Sequence, residues 1–166
     1  MIKIGPPHFT TDGKAWDDGG RDKIVQIFIE HDQHSIISLQ FLYAENGNLV
    51  SSDKDGGDRI NTPKFDVVNV QVLIFGILPL KGDRPLDQLA NLVTLNCPSE
   101  YITGISGCHG RIYVSYWQDL ILSITFITNN RTYGPFGGRG NDSVFQYQLG
   151  PDRSFGGFHA VTDPGI

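Results

Sequence analysis

Leu122 to Gly140, L-S-I-T-F-I-T-N-N-R-T-Y-G-P-F-G-G-R-G, is the stretch that decides the class of this chain. Apolar and polar residues alternate as far as Thr128. Asn129-Asn130 turns the chain, and a second short run resumes at Thr132. A period of two puts neighbouring side chains on opposite faces of a strand. The stretch therefore predicts a β-hairpin.

The same reading extends outward. Ile24 to Glu30 (I-V-Q-I-F-I-E) predicts a strand with Val25, Ile27 and Ile29 on one face. Ile36 to Tyr43 predicts another, with Ile37, Leu39, Phe41 and Tyr43 inward. Asn46-Gly47 predicts a type I′ turn, whose two central residues need positive φ, and Leu49-Val50 starts the return strand. Tyr101 to Ile105, Arg111 to Tyr116 and Leu120 to Thr128 predict three further strands around Gly107 and Gly110. Val144 to Leu149 predicts one more. No segment carries an extended helical period with caps; Gln88 to Val93 allows a single helical turn.

The chain has 166 residues, a length that fits one domain with a core needing no staples. Twenty glycines between short strands suit a sandwich, barrel or prism. A net charge of −5 with no Lys/Arg cluster argues against a nucleic-acid partner. The most apolar run, Val72 to Leu80, is about half the length that spans a bilayer, so no membrane partner is expected. Cys97 and Cys108 make no disulfide framework and no zinc pair, and are expected as reduced, partly buried thiols. The start, Met1-Ile2-Lys3-Ile4-Gly5-Pro6-Pro7, has no apolar signal core, which predicts a cytoplasmic protein, with the nucleus also open.

The catalytic candidates are weak. Asp17-Asp18 is a carboxylate pair, but adjacent strand residues point to opposite faces, whereas a glycosidase needs two carboxyls about 5–10 Å apart across a cleft. A turn-anchoring role is expected instead. Gly104-Ile105-Ser106-Gly107 is one residue short of a nucleophile elbow and lacks the following helix. Asp53, Asp55 and Asp58 lack the distant Glu of a calcium loop and read as a solvated acidic turn. His31 and His34 fall in a polar loop with no third ligand nearby, so neither metal nor cofactor is expected.

Three motifs in order carry a resemblance: Trp16-Asp17-Asp18-Gly19, Pro98-Ser99-Glu100-Tyr101-Ile102 and Tyr133-Gly134-Pro135-Phe136-Gly137. Together they resemble the jacalin-related plant lectins over most of the chain. The resemblance implies an all-β prism of three antiparallel Greek-key sheets and a non-catalytic carbohydrate site built from loops at one end. Its mannose-type branch, which lacks a signal and a chain-cleavage region, implies mannose/glucose-type glycans as partners.

Two places match the family's sugar site. Gly13, just before Lys14-Ala15-Trp16-Asp17-Asp18-Gly19, matches the N-terminal loop glycine, although Asp12 stands where a second glycine is usual. Gly157-Phe158-His159 matches the entry to the C-terminal loop. Ala160-Val161 then replaces Gly-Arg, and Asp163 takes a glycine position, where it is the candidate acceptor. On an ungapped alignment Ile166 precedes the family's sugar-gripping Asp. The expectation is a missing last strand and an open edge that invites a homo-oligomer, with weakened or lost binding. A sugar-inactive interaction or structural module is the alternative.

One segment fits neither pattern. Gly57 and Pro98 are about twice as far apart as in the family, and the excess opens with the apolar run from Val67. Residues Val67 to Leu92 are expected to be an insertion in a domain spanning residues 1–166, since ordinary long loops are rarely so apolar.

Overall fold

The computed structural model describes residues 14–53, 55–56, 89–111, 120–140, 143–150 and 154–162. These form eleven strands and no helix: β1 (Lys14–Asp17), β2 (Lys23–His31), β3 (Ile36–Glu45), β4 (Asn48–Ser51), β5 (Asp55–Gly56), β6 (Leu89–Thr94), β7 (Ile102–Gly110), β8 (Leu120–Thr128), β9 (Thr132–Gly137), β10 (Ser143–Gln148) and β11 (His159–Thr162).

The strands pair antiparallel in three sheets. One has the order β4-β3-β2-β6, with β5 also on β3; a second has the order β10-β7-β8-β9; a third pairs β1 with β11. In the first two, three consecutive strands are joined by a fourth that returns beside the first, which is the Greek-key connection. This is the expected β-prism.

The expected hairpin is β8–β9, closed by Thr128, whose hydroxyl accepts from the N–H groups of Asn130 and Arg131 at 3.2 and 2.9 Å. Asn46 (φ 49°) and Gly47 (φ 81°) form the β3–β4 turn with the positive φ its sequence required. Phe41 of β3 and Phe126 of β8 are fully buried. Between them lies Phe158, which enters β11. Its ring is stacked on Phe41 at 4.6 Å, edge-on to Phe126 at 6.1 Å and parallel to Phe155 at 5.8 Å. The three sheets thus meet at one aromatic cluster.

Four expectations are corrected. In β2 a bulge between Ile24 and Gln26 reverses the alternation, so Ile24 joins Ile27 and Ile29 in the core and Val25 does not. A second shift near His31 puts Ile36, not Ile37, against the core cluster. The helical turn at Gln88 to Val93 is instead strand β6, whose Val93 is buried with Leu95 and whose Leu92 points the other way. Leu89 to Leu92, assigned to the insertion, are thus paired in register with β2. Finally, β7 continues through Gly107 to Gly110.

Gly107 is therefore a close-approach position. It lies in register between Ile124 of β8 and Phe145 of β10. A Cβ there would strike the Ser123 carbonyl oxygen and the Phe145 ring. Gly107→Val is expected to lower the unfolding free energy by about 1–3 kcal/mol through overpacking. An unchanged urea midpoint would contradict this packing.

The expected Arg111 to Tyr116 strand lies outside the described residues beyond Arg111. No helix among the described residues is long and apolar enough to cross a membrane.

Candidate carbohydrate site

A knot of hydrogen bonds holds β1 to β11. Asp17 Oδ1 accepts from the Gly19 N–H at 2.9 Å and turns the chain at Gly19, whose φ is +67°. Asp18 Oδ2 accepts from the Tyr43 hydroxyl at 2.6 Å. Arg21 donates through Nε to the Asp18 carbonyl at 3.1 Å and pairs with Glu45 at 3.2 Å. Its guanidinium lies over the Tyr43 ring. Burial pushes the Asp18 carboxyl above its ordinary value, with the Tyr43 bond and Arg21 acting the other way. The pair is thus an anchor, as expected, with each carboxylate engaged locally.

That turn grips the C-terminal motif. Asp18 N–H donates to Phe158 O at 3.0 Å and Arg21 N–H to Gly156 O at 2.8 Å. A Cβ on Gly157 would collide with the Gly19 carbonyl oxygen, so only glycine fits there. From this clamp the β1–β11 ladder runs Asp17↔His159, Trp16↔Ala160, Ala15↔Val161 and Lys14↔Thr162. Lys14 and Thr162 are its terminal pair. Gly13 and Asp163, the expected sugar-site residues, lie outside the described residues, each one position beyond a member of that pair.

A second knot secures the other two motifs. Glu100 is 2% exposed and has four partners. Oε2 accepts from Asn96 N–H at 3.1 Å; Oε1 accepts from the Thr128 and Tyr133 hydroxyls, both at 3.0 Å, and pairs with Arg131 at 3.3 Å. Burial alone would raise its pKa, but the bonds from Asn96, Thr128 and Tyr133 and the Arg131 charge outweigh it and hold the carboxyl below its ordinary value. The sequence flagged Pro98 to Ile102 and Tyr133 to Gly137 as motifs without revealing that one carboxylate joins them. Tyr43 and Arg21 were likewise missed as partners of Asp18. Only an aromatic in a predicted inward position could have signalled the first.

Gly104 to Gly107 sits inside β7. His31 is not in a loop: it is the buried last residue of β2, bonded through Nδ1 to the Asp32 carbonyl at 3.1 Å and through Nε2 to Asn91 at 2.9 Å. His34 is exposed in the following turn. Asp58 lies outside the described residues. Cys97 and Cys108 are free thiols. Among the described residues no group of three His, Cys, Asp or Glu side chains is arranged for a metal.

The family model for the Jacalin-like lectin domain matches residues 7–165. The chain belongs to the Jacalin-like lectin family. Arabidopsis thaliana relatives agree. Inactive protein RESTRICTED TEV MOVEMENT 1 is 36% identical over 171 residues, covering 98% of this chain and 80% of that protein. Jacalin-related lectin 2 is 32% identical over 172 residues, covering 96% and 78%. Among solved structures, single-chain recombinant jacalin superposes with a TM-score of 0.68 at 25% identity, covering 96% of this chain and 85% of that one. Artocarpin bound to mannotriose gives 0.71 at 24%, covering 98% and 89%. The jacalin-like prism is therefore the fold, and carbohydrate binding is the role of the lectin family to which the chain belongs.

Proposed function

We propose that this jacalin-like domain binds a hexose of the mannose/glucose type, without catalysing a reaction on it, in the loops that continue β1 and β11. The observation that carries the reading is the terminal Lys14–Thr162 pair. In the sequence Gly13 immediately precedes Lys14 and Asp163 immediately follows Thr162, which supports a site shared by the two. A carboxylate accepts from two sugar hydroxyls with charge assistance, and a glycine N–H donates where the backbone can come close. The mannose preference follows the family resemblance, and the cytoplasm is the proposed compartment.

The test is retention on mannose-agarose with elution by free mannose, run beside galactose because a frutalin neighbour was solved with that sugar. Retention is expected to be weak, and Asp163→Asn is expected to abolish it. Unchanged retention in Asp163→Asn would remove Asp163 from the site; no retention of the parent chain on either matrix would reject the lectin reading. The second reading, a sugar-inactive interaction module, is favoured by Ala160-Val161 standing where the family has Gly-Arg. Similarity to a relative named as inactive points the same way.

A further inference from the structure

The two edges of the second sheet are protected very differently. Along β9, Pro135 supplies no N–H, Gly134 and Gly137 have positive φ, and the pairing with β8 slips between Ile124 and Phe126. Prolines, bends and bulges of this kind keep an edge from pairing with another chain. The opposite edge, β10, lacks them. Its six residues pair with β7 in unbroken register from Ser143↔His109 to Gln148↔Gly104. Ser143 to Gly150 carry no proline and no charge. Val144 is 82% exposed, and Gln146 and Gln148 are exposed beside it.

One hydrogen bond fixes which way the backbone of β10 points. Leu149 N–H donates to the Thr103 carbonyl on β7 at 2.7 Å. In an antiparallel pair, residues that exchange backbone bonds alternate with residues that exchange none. Tyr147 and Phe145 therefore bond toward β7. Val144, Gln146 and Gln148 turn their N–H and C=O groups to the outer edge, where no strand pairs with them among the described residues.

These three residues are evenly spaced about Gln146, so the edge is complementary to itself. An antiparallel copy related by a two-fold axis at Gln146 brings Gln146 opposite the partner's Gln146 and Val144 opposite the partner's Gln148. Each of those pairs falls at a hydrogen-bonded position. Between them, Phe145 meets the partner's Tyr147 at the closer, non-hydrogen-bonded spacing of about 4.5 Å between Cα atoms. Within one chain these two rings are already stacked, with centroids 6.2 Å apart. Aromatic pairs across strands are favourable. A net charge of −5 opposes self-association in general, but this uncharged strand brings no like charges together. The match of the edge to itself selects a second copy over an unrelated strand.

We propose that β10 is a self-association edge. Two copies of this chain pair β10 with β10, antiparallel about a two-fold axis at Gln146, and join their four-stranded second sheets into one continuous sheet.

Sedimentation equilibrium over a dilution series tests this. At the concentrated end the full chain is expected to show twice the mass of one chain. Gln146→Pro removes an N–H that points away from β7, a place where an edge strand tolerates proline. That variant is expected to keep its β dichroism while its mass halves. A parent that stays monomeric throughout would overturn the proposal. So would a Gln146→Pro variant that still dimerises. Should Gln146→Pro fail to fold, Gln146→Lys, which sets two like charges directly opposite each other, must halve the mass instead. Persistence of the dimer in that variant is equally fatal.

Discussion

Phe41→Ala is expected to lower the unfolding free energy by about 3–5 kcal/mol, measured by urea denaturation followed by tryptophan fluorescence. Phe41 is fully buried on β3, and its ring supports the stacked ring of Phe158. Truncation leaves a void where three sheets meet, so the loss includes a cavity penalty as well as transfer of the ring. Domains of this size are stable by only about 5–15 kcal/mol, so the variant should melt well below the parent. It should also loosen β11, because Phe158 would lose the surface that orients the strand's entry. A change under about 1 kcal/mol would mean that the sheets do not converge on this ring.

The second large effect is at Glu100. Glu100→Ala strands the Asn96 N–H, two hydroxyls and the Arg131 charge around an empty site. A loss of about 3–5 kcal/mol is expected, the range for breaking one side of a buried charged network. Glu100→Gln separates charge from geometry. With its pKa lowered in the fold, the carboxylate contributes fully above the unfolded value, about 4.3. That contribution is lost as pH falls through the lower folded value. The Glu100 contribution should therefore fall away below about pH 4.3, and Glu100→Gln should lose that part of the acid limb. Asp18, whose pKa is raised, acts with the opposite sign, so the comparison with Glu100→Gln isolates the Glu100 contribution. A parent and a Glu100→Gln variant with parallel acid limbs would rule out this role.

Much of the architecture was legible because alternation is a local signal. The β8–β9 hairpin, the Asn46-Gly47 turn and the core positions Ile27, Ile29, Leu39, Phe41 and Tyr43 all follow from residues within a few positions of one another. What escaped depended on partners. The bulge beside Val25 inverts the pattern without a composition cue. Gly107 looked like a strand break because a lone sequence cannot show that two neighbouring strands crowd it. Leu89 to Leu92 took their conformation from β2, and His31 is in the sheet because it pairs with Ile36 and Leu89 on the two flanking strands. The sugar-site expectation rested on motif resemblance alone. The described ladder pairs Lys14 with Thr162 and ends one residue short of Gly13 and of Asp163.

That ladder also dictates an order of events. Lys14 and Thr162 are 148 positions apart, so the two-stranded sheet can close only after nearly everything between them has been made. Loop closure over such a distance is slow, and nascent chains fold from their N-terminal side as synthesis proceeds. A ribosome-bound intermediate can assemble the first Greek key while β1 still waits for its mate. Any recognition surface resting on that pairing consequently forms only after Thr162 has been made, and is withheld by every nascent chain that stops short of it.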